Sequence, residues 1–438
     1  MKAYLIGFCL LFTQLECTKS RDQERDSVPA AAVPKTEGTF IQYNLVRNWT
    51  DARWQQEFNA LREAGMQYII LGSTLNTDTS GRMYAIFPTT IPNVTNRYGN
   101  DIVENCLRNA AAARFKVFLG LNFDERWWRG NHSIESLTPL MQLGNQLAEE
   151  LVNRYKSRYA ETMYGWYWVW EVDNLHFTTL QTQEALAKAL NTNLDHLSRI
   201  SPDMPMMLCP FFNYRLGTPQ QNADMWRNVF RQTNFRPGDI FAPQDCIGAG
   251  GLNMEVLSDW FAALKPAVDS KAGLEFWVDT ETFDQRFWTS ATMDRFVKQM
   301  EHIAPYVKRY VNFAYSHYYS PWKDNPAFHD AYVYYTKHGK LPDMNVSADI
   351  QHADVNSLTD LSKELTWSVR PSSEVNVAGY FIYLNDSLYL DWQYKPGVDK
   401  SRRLKIAGSA LKDRNVILIR PYSVTGKQGA GRSVAFDR

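Results

Sequence analysis

Cysteine is scarce in this chain of 438 residues: Cys9 and Cys17 lie in the opening segment, and only Cys106, Cys209 and Cys246 follow. An odd number of widely spaced thiols builds neither a disulfide framework nor a four-ligand zinc site, so the three are read as buried thiols. Charge of one sign is lacking too. Lysine plus arginine totals 47 and aspartate plus glutamate 47, and no basic stripe breaks the balance. That excludes nucleic acid as an expected partner, because such binders carry a basic surplus. No glycine-rich phosphate loop, no nucleophile elbow and no clustered His/Cys/carboxylate spacing occurs, so neither a cofactor nor a metal is expected.

Long apolar runs are missing except at the start. In "MKAYLIGFCLLFTQLEC" a positive Lys2 precedes an apolar run from Ala3 to Phe12, too short to span a bilayer. This reads as a secretory signal over residues 1–17, with the polar, Pro/Ala-rich residues 18–37 as a flexible tether. Cys17 then stands where a bacterial lipoprotein signal places its acylated cysteine. Gln14 and Glu16 depart from that pattern, which has an aliphatic and a small residue there. The expectation is export, with a membrane met through a lipid anchor only.

Aromatic residues, by contrast, are abundant: 14% of the chain, including 14 tryptophans. They fall within a regular alternation. Eight strand-like runs, "GTFIQYNL", "MQYIILGS", "FKVFLGLNF", "YGWYWVWEV", "DMPMMLCPFF", "DIFAPQD", "LEFWVDTETF" and "RYVNFAYSHYY", are separated by amphipathic segments. In "DARWQQEFNALREAGM", for example, Trp54, Phe58, Leu61 and Ala64 recur near helical spacing. Eight such pairs predict an α/β fold, a (β/α)8 TIM barrel over residues 38–339. A doubly wound sheet is the alternative, but no dinucleotide fingerprint follows the first strand. Residues 345–438 change character, with short alternating runs and no convincing helix. They predict a small immunoglobulin- or fibronectin-like β-sandwich, with "YFIYLNDSLYL" as a hairpin turning at Asn385-Asp386.

Barrel enzymes place their chemistry where the strands end. Here strand three ends in Asn122, Asp124 and Trp127-Trp128, and strand four in Glu171, Asp173 and Asn174. Strand five ends near Asn213 and Tyr214, strand six in Gln244 and Asp245, and strand seven in Asp279 and Glu281. Strand eight runs through Tyr315 and His317 toward Trp322. Along strand four, alternation sets Tyr167, Val169 and Glu171 on one face and Trp166, Trp168 and Trp170 on the other. If Glu171 looks into the barrel mouth, those three tryptophans face the helices and are core. Glu171 and Glu281 are 110 residues apart, three βα units of ordinary length. Two carboxylates across a barrel mouth suit glycoside hydrolysis, one holding a proton for the leaving oxygen and one attacking or activating water. Asn122, Trp127, Asn174, Gln244, Asp245, Asp279, Tyr315, His317 and Trp322 are the expected substrate-binding residues. Single rim acids, a satisfied barrel histidine or packed tryptophans would look the same one by one; the matched pair is what points to catalysis.

The acid on strand four paired with a carboxylate on strand seven resembles the large retaining glycosidase clan of TIM barrels. More closely, "WQQEFNALREAGMQYIILGST", "YGWYWVWEVDN", "FAPQDCIGAG" and "FWVDTETF" resemble a family of exported bacterial barrels known as domain of unknown function 4434, grouped with glycosidases. The resemblance implies a glycosidase-like barrel, a carbohydrate substrate, Glu171 as acid/base and Glu281 as nucleophile. The clan has asparagine directly before the acid/base, where this chain has Trp170. Asp245 is the rival carboxylate. Two functions follow: a retaining glycoside hydrolase, or a carbohydrate-binding lipoprotein that keeps the cleft without the chemistry.

Overall fold

The computed structural model describes residues 33–130, 132–323, 325–393 and 402–438. Eight parallel strands run through it: β1 (Thr36–Ile41), β2 (Tyr68–Thr77), β3 (Lys116–Asp124), β4 (Met163–Trp168), β5 (Met206–Leu208), β6 (Ile240–Phe241), β7 (Glu275–Glu281) and β8 (Arg309–Phe313). Each pairs with the next, and β1 pairs with both β2 and β8, so the sheet closes on itself. The result is a TIM barrel. Its outer ring comprises α1 (Asp51–Glu63), α2 (Ile102–Ala113), α3 (Ile134–Leu151), α4 (Leu180–Ile200), α5 (Pro219–Gln232), α6 (Leu257–Asp269), α7 (Met293–Ile303) and α8 (Ala327–His338).

Local sequence explains where these elements start. Thr50, Thr179 and Thr218 cap α1, α4 and α5 by accepting main-chain N–H groups that have no partner inside the helix. Inside the barrel the fill is aromatic. Tyr68, Phe118 and Trp277 pack against one another with ring centroids 5.6–6.4 Å apart. Above them, Phe40 meets Tyr167 at 5.1 Å and Phe313 at 5.9 Å. Gly165 on β4 makes room for this packing, since a Cβ there would lie 2.4 Å from the Phe118 ring.

Around β4 the tryptophans take the outward face. The Trp166 indole N–H donates to Ser201 Oγ at 2.9 Å and that of Trp168 to Asn193 Oδ1 at 3.0 Å, both partners belonging to α4 or its end. The eighth strand is shorter than the sequence predicts. The Tyr315 N–H is taken by Asn312 Oδ1 at 2.6 Å and Thr39 Oγ1 at 2.9 Å. That diverts it from the ladder, and residues Tyr315–Tyr318 form one helical turn.

Past the barrel, antiparallel strands β9 (Ile350–Ser357), β10 (Lys363–Val369) and β13 (Arg403–Ile406) make one sheet. A second contains β11 (Gly379–Leu384), β12 (Ser387–Gln393), β14 (Arg414–Tyr422) and β15 (Arg432–Asp437). Leu365, Trp367, Tyr380, Ile382, Ile406, Ile417 and Ile419 fill the space between them. The hairpin of β11 and β12 turns at Asn385 and Asp386, with φ of 50° and 68°. Both are residue types that tolerate the left-handed region such a two-residue turn demands. No helix among the described residues is long and apolar enough to cross a membrane. Cys17, the expected signal and the tether as far as residue 32 lie outside the described residues; Thr36 and Glu37, expected in the tether, belong instead to β1.

Candidate active site

The carboxyl ends of the strands surround a cleft of about 710 Å³. Phe40, Tyr167 and Phe313, the upper layer of the barrel fill, make its floor, and Glu171, Gln244, Asp279, Glu281 and His317 stand in its walls. Trp128, Phe123, Phe211, Phe283, Trp288, Tyr43 and Tyr318 add aromatic surface. Such a pocket, apolar with a few convergent polar groups, is the usual form of a small-molecule site.

On β7 the alternation Trp277, Asp279, Glu281 puts one aromatic and two acids on the inner face. Glu281 is 1% exposed, and its Oε2 accepts the Ala249 N–H at 2.7 Å. Gly248 allows that loop to come so close, because a Cβ there would lie 2.2 Å from the Phe283 carbonyl and 3.0 Å from Glu281 Oε2. Behind Glu281 lies Asp245, fully buried. Its Oδ2 accepts Gln299 Nε2 at 2.6 Å and the Glu281 N–H at 3.3 Å, while Oδ1 accepts the Ile247 N–H at 3.1 Å. Gln299 also donates to the Glu281 carbonyl at 3.1 Å. Asp245 is thus a bracket for the end of β7.

Four acids in so small a space hold protons unusually well. Burial raises Glu171 to about 7, against the hydrogen bond it receives from Gln244. Burial and the neighbouring charges of Glu281, Asp245 and Glu171 push Asp279 far above the carboxylate range. Glu281 is raised by burial and then by Asp245, with the Ala249 and Gly248 N–H groups and Arg295 opposing. Asp245 is raised by burial against its donors. Among the described residues none of these four forms a salt bridge. Like charges this close titrate as a set. His317, in contrast, is held down to about 4 by burial and the nearby Lys323 charge, so it is neutral; its Nε2 accepts the Gln42 N–H at 3.3 Å. No group of three or more His, Cys, Asp or Glu side chains among the described residues could hold a metal ion.

The family described as a domain of unknown function, DUF4434, matches residues 36–326. The chain belongs to the DUF4434 family. No curated protein matches it. Among solved structures, a provisionally assigned alpha-L-fucosidase from Bacteroides thetaiotaomicron VPI-5482 is 19% identical. It aligns over 74% of this chain and 99% of its own, with a TM-score of 0.56. A GH39 beta-xylosidase from Caulobacter crescentus is 13% identical over 81% of this chain and 82% of its own, with a TM-score of 0.44. At 19% identity the likeness to the first of these is one of fold, and that fold is the (β/α)8 barrel described above.

In this DUF4434 member the expected residues divide. Glu171, Gln244, Asp279, Glu281 and His317 share the cleft. Asp245 stands directly behind it. Five others do not line it. Asn122 turns outward, donating to the Leu140 carbonyl of α3 at 2.9 Å; Gly144 leaves space, since a Cβ there would come 2.7 Å from Asn122 Oδ1. Asn174 bridges loops, paired twice with the main chain of Asn213 at 3.0 Å. Tyr315, on the helical turn that replaces strand, is buried with its hydroxyl on His329. Trp322 is 51% exposed and lies near Arg53, outside the cleft. Trp127 is buried under the site, and its indole N–H holds the Glu171 carbonyl at 2.8 Å.

Of the loop tryptophans, Trp128 and Trp288 line the cleft, and Gln42, Tyr43, Asn44, Gly72 and Ser73 complete the wall. The last five follow or interrupt β1 and β2, the two strands whose ends the strand-end reading passed over. "FIQYN" carried the same signal as the others: an apolar run closing in amides and an aromatic. Trp170, where the resemblance implies asparagine, is buried among Phe123, Trp127 and Trp168, so that position offers the cleft no amide; the amide in the wall is Gln244, which hydrogen-bonds Glu171.

Proposed function

We propose that this protein is a glycoside hydrolase acting on an oligo- or polysaccharide, with Glu171 as general acid/base and Glu281 as nucleophile. The observation that carries the reading is the placement of both acids, from strands three βα units apart, in one aromatic-walled cleft. Glu171, raised to about 7, keeps its proton through much of the neutral range and passes it to the leaving glycosidic oxygen as that bond breaks. Glu281, its proton first released to solvent and its carboxylate steadied by the Ala249 N–H, attacks the anomeric carbon as the bond to the leaving oxygen breaks, forming a glycosyl ester. Water then enters, loses its proton to Glu171 and displaces Glu281, giving net retention. The crowded cluster resists ionisation of Glu281. Positive charge developing at the anomeric carbon favours it, so the carboxylate is worth most in the transition state.

A second reading, a carbohydrate-binding protein with a silent site, draws on that same resistance and on Trp170, which gives the cleft no amide. The two separate on a panel of 4-nitrophenyl glycosides and cello-, xylo- and manno-oligosaccharides. Hydrolysis lost in Glu171→Gln and Glu281→Gln supports the enzyme, and NMR of the first-formed anomer reads retention. Calorimetric binding without product supports the silent site. Acylation at Cys17 and export remain part of the proposal; mass spectrometry of the mature N-terminus tests them.

A further inference from the structure

The connection from β7 to α7 is a small hairpin in which Phe283 and Asp284 pair with Ser290 and Thr289. It carries Gln285 and Trp288 to the cleft, and its first residue, Phe283, is part of the wall. Trp288 takes a left-handed φ of 54° at the turn and is 61% exposed, a costly conformation for a bulky residue unless its surroundings hold it. Three rings lie nearly parallel here. Phe283 stacks with Trp288 at 5.9 Å and 10°, and with Tyr318 at 5.5 Å and 24°. Rings so aligned present flat apolar surface to a cleft, suited to the C–H faces of sugar rings.

A hairpin of two-residue strands is too small to keep such a shape unaided. Ser290 Oγ donates to the Tyr318 carbonyl at 2.8 Å, tying the hairpin to the third ring. The remaining edge is met from the C-terminal sheets. The Ser290 N–H donates to Gln393 Oε1 at 2.9 Å, and Gln393 Nε2 donates to the Ser290 carbonyl at 2.9 Å. One side-chain amide thus supplies both partners that a third strand would. Gln393 closes β12, whose own ladder to β11 fixes its position. A second pin, the Met293 N–H on the Val424 carbonyl at 2.8 Å, fixes the start of α7 just beyond.

We propose that Gln393 is a positioning residue for the sugar-binding wall of the barrel cleft, through which the C-terminal sheets set the orientation of Trp288 and so the choice of glycan. This rests on the carbohydrate reading above. It assigns the C-terminal region a share in recognition and none in bond cleavage, since among the described residues the groups that hold the Glu171 and Glu281 carboxyls belong to the barrel.

Three variants test it: Gln393→Ala, Trp288→Ala and the double variant. On the best oligosaccharide of the panel, Gln393→Ala is expected to raise KM about tenfold, with kcat within about twofold. Trp288→Ala should do the same, and the double variant should be no worse than Trp288→Ala, because both remove one contact. Gln393→Glu, which keeps an acceptor for the Ser290 N–H, should recover part of the loss. Hydrogen exchange gives a readout without any ligand: residues 283–290 should exchange faster in Gln393→Ala, with the sheets' own strands unchanged. Additive KM effects, or an unaltered KM in Gln393→Ala, overturn the proposal. If no glycan of the panel is cleaved or bound, the functional reading fails separately; unchanged exchange at 283–290 would then overturn the clamp on its own.

Discussion

Two glutamates stand at opposite ends of β7, six residues apart, and they live in opposite electrostatic conditions. Glu275 opens the strand at the amino-end face. Burial works against its charge, but Lys308 at 2.5 Å and the Trp277 indole N–H at 2.8 Å outweigh it, and its pKa falls below the usual value. Its neighbours follow suit: Glu37 pairs with Arg309 and Asp239 with Arg236. Glu281 closes the strand, buried beside Asp245 and near Asp279, with no ion pair among the described residues and its pKa raised. The same residue type, on the same strand, is satisfied at one end and frustrated at the other. The amino-end face neutralises its charges, whereas the acids of the proposed site stay in conflict, the pattern that clusters at functional sites.

That contrast can be broken or sharpened by experiment. The largest effect should come from Glu281→Gln or Glu171→Gln, each lowering hydrolysis by roughly 10²–10⁴-fold or more. Binding of the same oligosaccharide by calorimetry should survive. Next is a loss of thermal stability with rising pH. Glu171, Asp245, Asp279 and Glu281 all bind protons more tightly folded than unfolded. Their stabilising contribution is therefore complete below the unfolded carboxylate range and is lost as pH climbs through the raised values, about 7 for Glu171. The melting temperature should fall between pH 5 and pH 8, and Asp279→Asn should flatten that fall. A melting curve that rises over this window would refute the frustrated cluster. Trp322→Ala, an exposed ring away from the cleft, should leave KM within about twofold while Trp288→Ala raises it. The smallest effect belongs to the other end of β7. Lys308→Ala should cost about 0.5 kcal/mol in denaturant unfolding and nothing in kcat/KM, as a partly exposed ion pair would.

Strand-like runs alternating with amphipathic segments make the barrel readable, and period-two alternation assigns the faces of β4. Trp166 and Trp168 face outward to α4 and its end while Tyr167 faces inward, and the inward sense carries past the strand end to Val169 and Glu171. It fails where the chain turns helical. Tyr315 and His317 lie on a helical turn, and that turn sends the first into the core and the second into the cleft. Asn122 and Phe123 show a subtler case. A small residue on a helix, Gly144, opens a niche for the amide, and nothing in the local run of β3 announces it. Loop aromatics were the least legible. Trp127 and Trp128 are neighbours with opposite fates, one buried beneath Glu171 and the other half-exposed in the cleft, because a single 3-10 turn points them apart.

Barrel closure has a consequence in time as well as space. Thr36 opens β1, and both its N–H and its hydroxyl meet the Tyr332 hydroxyl of α8, a partner 296 residues further along. The β8 strand that completes the ring lies more than 270 positions from β1. A ribosome adding about 5–20 residues per second would need some tens of seconds to deliver those partners. Until then the hydrogen-bonding edge of β1 stands open, the template on which chains join one another by mistake. Whatever keeps nascent copies of this protein apart during that interval matters as much to its yield as any contact in the finished barrel.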